Sequence, residues 1–331
     1  MGHDPCTRNS APRIAHQGAD VESAREPVTA LHMSWSRFNP SALPIWLLVG
    51  IAWCVVRLPL PVLMRVGVCI GWLGHGLAKR RVHITDVNLR LCFPELAEHE
   101  RHALRKRVFR STGIALIETA MAWLAPVKQL RARAHIHGLE LIAEAQAAGH
   151  GVLLLGAHFS TLDIAGALLA EQLNLDVMYR YNKNPAIEAL MRRGRARLYG
   201  GVLERGDVRT ALRRLRDGHV LWYAVDQDFG RKHSVFAPFF GVPAASLTAA
   251  ARFAKAGNAR VLFFSHFRGE SPWRWELHIQ ALPAAFPSGD AVHDASLVNA
   301  MIESQIRIAP EQYLWLHRRF KTRPLGEARP Y

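Results

Sequence analysis

The sequence predicts an α/β protein, a sheet flanked by helices, led in by a hydrophobic helical segment that anchors it to a membrane. Three observations carry this reading. Short apolar runs rich in β-type residues alternate with amphipathic stretches from Gly138 onward. A segment at 43–56, LPIWLLVGIAWCVV, has no charged residue. The 331-residue chain is 50% hydrophobic, enough to bury a large core and too much for a disordered basic chain.

Residues 1–35 are polar, rich in Ala, Arg, His and Asp, and without sustained periodicity; they read as a disordered extension, with Met33 as an alternative start. Residues 36–82 form the anchor segment. As a helix, 43–56 is ~21 Å long, short of the ~30 Å hydrocarbon core of a bilayer. Pro59 and Pro61 follow, then a second apolar run at 66–78 that ends in Lys79, Arg80 and Arg81. A single span extended by its flanks, a bent monotopic anchor and a buried hydrophobic hairpin are all compatible with this pattern. Trp46, Trp53 and Trp72 and the basic cluster favour membrane contact from the cytoplasmic side. A cleaved signal peptide fits poorly, since no small-residue cleavage pattern precedes a polar mature start.

Residues 83–137 are a helical lead-in, with two helices separated near Phe93 and Pro94. The main domain is 138–328. Strands are expected at 151–155 (GVLLL), 176–180, 219–225, 260–265 and 273–279, and helices at 161–173, 185–198, 208–216, 247–256 and 297–308. The stretch 236–243, FAPFFGVP, reads as an apolar loop of no regular period, suited to lining a lipid chain or packing in the core.

Four cysteines, none beyond residue 92, exclude a disulfide scaffold and a cysteine nucleophile in the later two thirds of the chain. The 42 Lys and Arg against 27 Asp and Glu leave a net charge of +15, which calls for an anionic partner: nucleic acid, a phosphorylated substrate, an acidic protein or an anionic membrane.

The strand GVLLL runs into Gly156, Ala157 and His158, and five residues later Asp163 falls in the first turn of a helix. Ligands bind at such strand ends in open α/β sheets. A histidine there suits a general base, with a carboxylate to orient it, and no Ser or Cys nucleophile is needed if the attacking oxygen belongs to the substrate. The spacing alone is weak: 17 histidines and 27 acids in 331 positions give about 1.4 such pairs by chance, and two occur, His158/Asp163 and His135/Glu140. The second lies in a polar segment with no apolar strand before it and is set aside. A capping histidine beside an acid that complements a helix dipole is the plainer reading of the first. Around it lie Arg180 and Asn182 after one strand, Arg192, Arg193, Arg195 and Arg197 along a helix, and Asp226, Asp228 and Arg231 after another strand. A solvated basic face accounts for many such arginines; one near the histidine would bind a phosphate or support an oxyanion.

Together GVLLLGAHFSTLD, YRYNKN, RRGRAR, the long block from LERGDVRT to FGVPAAS, and PEQYLWLHRRFKTRP resemble the late acyltransferases of lipid A biosynthesis, most nearly the lauroyl type. The resemblance covers roughly residues 40–328. It implies a mixed sheet flanked by helices, as in glycerolipid acyltransferases, and an enzyme on the cytoplasmic face of the bacterial inner membrane. The implied reaction moves an acyl chain from acyl carrier protein to a hydroxyl of an acyl chain on the Kdo-lipid A precursor. It further implies His158 as the base, Asp163 as its acidic partner and Arg195 in support of the oxyanion. Arg180, Asn182, Arg197, Asp226, Asp228 and Arg231 are the expected substrate-binding residues. One departure is visible: the late acyltransferases usually have Glu where this chain has Asp163.

No cofactor is implied and no metal ligand set is evident. The expected partners are an acidic acyl carrier protein, the phosphorylated lipid precursor and an anionic membrane. The segment 317–323 (HRRFKTR) carries four fixed positive charges and no acid, each worth about 1 kcal/mol near an anionic surface. A lysophospholipid or other glycerolipid acyltransferase is the alternative enzyme. A nucleic-acid binder is the non-enzymatic one, but no nucleic-acid motif appears and the basic residues are spread over helices.

Overall fold

A computed structural model of the protein describes residues 43–269, 273–283 and 286–331. The expected extension at 1–35 and the alternative start at Met33 lie outside the described residues.

Two apolar helices come first, α1 (Leu43–Val55) and α2 (Leu60–Leu77), the latter with Pro61 in its first turn. None of the α1 residues is buried, so the buried-hairpin alternative does not describe it. Leu47, Leu48, Ile51 and Trp53 of α1 and Trp72, Leu73 and Leu77 of α2 are exposed, a concentration of large apolar side chains on two successive helices. At 18 residues α2 is ~27 Å long and fits a membrane anchor. Its other face, through Leu63, Met64, Gly67 and Gly71, packs on α4 (Glu98–Leu124). The two backbones nearly touch: a Cβ on Gly113 would lie 2.2 Å from the Gly67 carbonyl oxygen. Between them α3 (Lys79–Cys92) carries the basic cluster at its start.

The main sheet has seven strands in the order β1 (Ala134–His137), β9 (Trp275–Ala281), β8 (Ala259–Arg268), β2 (Gly151–Gly156), β5 (Val220–Ala224), β3 (Leu175–Tyr179) and β4 (Gly201–Glu204). Only the β8/β9 pair is antiparallel, so the sheet is mixed and parallel-dominated, as expected. Every residue of β2 is buried, which is why its sequence is an unbroken apolar run: both faces are covered. Leu153 and Leu155 enter one core with α8 (Val208–Arg216), α9 (Ala249–Gly257) and α10 (Ala291–Ile308). Val152 and Leu154 enter the other with α5 (Leu139–Ala147) and α6 (Leu162–Ala170). Helix α4 serves both: Leu104 and Val108 pack in the first core, Ile114, Ile117 and Met121 in the second.

Helix starts follow local chemistry. The Asn184 side chain accepts from the backbone N–H of Ala186 and Ile187, with Pro185 opening α7 (Pro185–Ala196). Asp290 does the same for α10 through Val292 and His293, so that helix begins well before the expected 297. Such caps are worth about 1 kcal/mol each.

Several elements differ from expectation, and β4 and α5 fall where none was expected. The 236–243 stretch is not a loop: β6 (Ser234–Phe239) and β7 (Val242–Leu247) form an antiparallel hairpin, with Phe239 in the core. Its two-residue turn has Phe240 at φ 51° and Gly241 at φ 73°, the left-handed pair a tight hairpin needs, but with Phe where Asn or Asp usually signals it. Pro238 and Pro243 sit opposite one another and further disguise the strands. Strand β1 precedes Gly138 and closes the sheet edge, within the stretch expected to be a helical lead-in. Within the basic 317–323 segment, expected to bring four charges to an anionic surface, Arg319 is buried and donates to the Ala245 carbonyl (2.8 Å) and Ser246 Oγ (3.0 Å).

Candidate active site

The parallel register of β2 and β5 decides which residues meet. Gly156 pairs with Ala224, so two residues further along each strand His158 and Asp226 emerge side by side. Gly156 allows the close fit, since a Cβ there would lie 2.8 Å from the Trp222 indole nitrogen.

Asp226 grips the histidine twice. His158 Nδ1–H donates to Asp226 Oδ1 at 2.7 Å, and the His158 backbone N–H donates to Oδ2 at 3.0 Å. Burial, with the Asp226 charge beside it, pushes the Tyr313 hydroxyl pKa well up. The two His158 bonds fix the imidazole tautomer, leaving Nε2 as the acceptor. Gln227 Nε2 lies 3.3 Å from it. Trp222 stands edge-on to the ring at 6.1 Å between centroids.

Opposing effects set the protonation of this pair. Burial pushes the His158 pKa down, but the charge and hydrogen bond of Asp226, with the charge of Asp163, outweigh it and lift the pKa above the usual 6.5. For Asp226 burial acts upward, and the His158 charge and hydrogen bonds overcome it, holding the carboxyl at about 2. The two form a charge-assisted pair.

Asp163 was the expected partner of the imidazole. It does lie in the first turn of α6, but its Oδ2 accepts from Thr119 Oγ1 at 2.8 Å, toward α4. The physical reason is register: the neighbouring strand presents Asp226 level with His158, whereas α6 has already turned away. Asp163 instead shares a small cleft with Arg195, Tyr199 and Trp222. Both Asp163 and Arg195 act on His158 through charge, in opposite directions. The Arg195 guanidinium carbon lies 5.6 Å from the Tyr179 ring centroid and 5.9 Å from that of Trp123, within cation–π range of both.

The other expected substrate contacts have mostly architectural bonds. Arg197 donates to the Trp123 and Ala125 carbonyls at the end of α4. Asp228 accepts from the backbone N–H and hydroxyl of Thr322, both at 2.8 Å. Arg231 donates to the Arg323 carbonyl, and the Asn182 N–H donates to Glu188 Oε2. Arg180 is exposed at the end of β3.

A buried network that the sequence did not suggest holds the histidine loop in place. Arg268 donates from Nε to Glu118 Oε1 (2.7 Å) and from Nη2 to Oε2 (2.5 Å), and Trp275 Nε1–H donates to Oε1 (2.7 Å). Arg268 also reaches Ser111 and Ser160, two residues beyond His158, and these hydroxyls bond at 2.8 Å. The His158 carbonyl accepts from the Leu314 N–H, and the Ser160 N–H donates to the Gln312 carbonyl. Behind them Thr161 Oγ1 donates to the His266 carbonyl and accepts from His266 Nδ1, whose pKa burial pushes down to about 3.

The fold thus joins an α/β sheet to an apolar helix that fits a membrane anchor, and places a carboxylate-held histidine at the end of the central strand. Residues 31–322 match the family model of bacterial lipid A biosynthesis acyltransferases. The chain is 39% identical over 294 residues to the lipid A biosynthesis lauroyltransferase of Escherichia coli K12, covering 88% of this chain and 96% of that one. It is 37% identical over 287 residues to the lipid A biosynthesis palmitoleoyltransferase of the same strain, covering 86% and 94%. With a lipid A biosynthesis acyltransferase of Haemophilus influenzae the identity is 36% over 284 residues, covering 84% and 90%. The chain belongs to the bacterial lipid A biosynthesis acyltransferase family.

Proposed function

We propose that this acyltransferase moves a fatty acyl chain from acyl carrier protein to a hydroxyl of an acyl chain on the Kdo-lipid A precursor, at the cytoplasmic face of the inner membrane. The observation that carries the chemistry is the Asp226–His158 pair, which fixes Nδ1 as the donor and leaves Nε2 to take a proton.

In the proposed reaction the acceptor hydroxyl replaces Gln227 at Nε2 and gives up its proton as its oxygen attacks the thioester carbonyl. His158 becomes imidazolium, stabilised by Asp226 and more remotely by Asp163. Arg195 supports the oxyanion of the tetrahedral intermediate. Collapse of that intermediate breaks the carbon–sulfur bond, and the imidazolium returns the proton to the departing thiolate. A general base contributes typically ~10²–10⁴-fold and an oxyanion donor ~10²–10³-fold. The apolar surface of α1 and α2 holds the enzyme against the bilayer that contains its acceptor. Exposed basic residues such as Arg80, Arg192 and Arg193 face the lipid phosphates and the acidic carrier.

Lipid A from cells with and without the protein tests this reading by mass spectrometry. Loss of one secondary acyl chain from the deletion strain, restored by the wild-type chain, is the expected result. Unchanged lipid A would contradict it.

A further inference from the structure

We propose that the outer edge of the main sheet carries a divalent transition-metal site, of the kind that binds Zn2+, made by His137, Glu276 and His278. This site stands apart from the acyl-transfer reading: two strands, β9 and β8, lie between β1 and β2, the central strand that leads into His158.

The site follows from strand register. Strands β1 and β9 are parallel, with His135 opposite Glu276 and His137 opposite His278. Residues two apart on a strand share a face, so the four side chains gather on one patch. One ligand atom from each of His137, Glu276 and His278 lies within 4.8 Å of the others. His137 Nε2 is 3.4 Å from Glu276 Oε2. The His137 and His278 rings stack with centroids 4.8 Å apart and planes 8° apart. Tetrahedral zinc with bonds of ~2.0–2.1 Å sets its ligands ~3.3 Å apart, so the set closes when the two stacked rings rotate to aim their in-plane lone pairs at one point.

Two imidazoles and a carboxylate are ligands of the right softness for zinc. His135 supplies the usual second requirement, a group that orders the carboxylate: its Nδ1 is 3.0 Å from Glu276 Oε1. His135 and His137 are largely exposed, leaving a solvent path for the ion and a fourth position for water. The physical consequence is a clip. Strand β1 has only four residues and lies at the sheet edge, and a metal shared with β9 pins it there. The ligands are about 140 residues apart in sequence, which is why no spacing motif announces them.

The test uses the full chain in detergent, with any affinity tag removed, stripped by chelator and titrated with Zn2+ against a chromophoric competitor. We expect one tight equivalent in the wild type, weakened on the order of 100-fold or more in H137A/H278A, the scale that even outer partners of metal ligands reach. E276Q, which keeps the side-chain size, should weaken it as well. Co2+ should give tetrahedral visible bands in the wild type that both variants lose, while their circular dichroism and acyl transfer remain. Equal zinc affinity in all three proteins, or cobalt bands that survive in the variants, would overturn the proposal.

Discussion

Replacing Asp226 by asparagine is expected to lower acyl transfer by ~10²–10⁴-fold while the protein remains folded and membrane-bound. The two Asp226 oxygens each accept from a His158 N–H, so an amide in this place sets its NH2 against one of those donors. The imidazole then loses either its orientation or its tautomer. The pH profile separates this from a general loss of structure. In the wild type the neutral imidazole is the active form and its pKa is raised, so kcat/KM should rise with pH through an inflection above 6.5. Removing the Asp226 charge takes away support for the imidazolium, so the inflection of D226N should move to lower pH as its plateau falls. A D226N enzyme with wild-type rate and inflection would show that this carboxylate does not position the base.

Truncating Glu118 should have the largest effect on stability. Glu118 is buried, accepts three hydrogen bonds, and is the carboxylate that balances the buried Arg268. Breaking a buried pair by removing one partner leaves an uncompensated charge and costs ~3–5 kcal/mol. We expect E118A to unfold at clearly lower urea concentration than wild type, followed by tryptophan fluorescence in detergent. The double variant E118L/R268M should recover much of the loss, because a well-packed apolar pair carries no stranded charge. Since Arg268 also reaches Ser160, E118A should slow transfer in proportion to the loosened histidine loop. Unfolding of E118A within about 1 kcal/mol of wild type would contradict this account of the network.

Much of the architecture was legible in the chain because the physics that built it is local. GVLLL reads as a buried strand since both of its faces are covered, and Asn184-Pro185 announces a helix through its own cap. The hairpin at 234–247 was hidden because its turn uses Phe240 and its strands contain prolines. The four-residue β1 was hidden because its exposed histidines break the apolar pattern. At the site, His158 stood out by its place after β2, and Asp163 was drawn to it by sequence proximity. Its actual hydrogen-bond partner comes from β5, 68 residues later. One signal for this was present: GAH and AVD follow two buried strands at the same offset, so a parallel pairing of those strands places His158 beside Asp226. Nothing local marks Glu118 or Arg268, whose pairing exists only once α4 crosses both cores.

The central claim, that His158 is the base for acyl transfer, is tested most directly by the H158A variant. Purified wild-type and variant protein, matched for folding and detergent behaviour, would be given acyl carrier protein loaded with a labelled acyl chain and the Kdo-lipid A precursor. We expect the variant to transfer label on the order of 10²-fold more slowly or worse while still binding membranes. Transfer by H158A within tenfold of the wild-type rate would contradict the account.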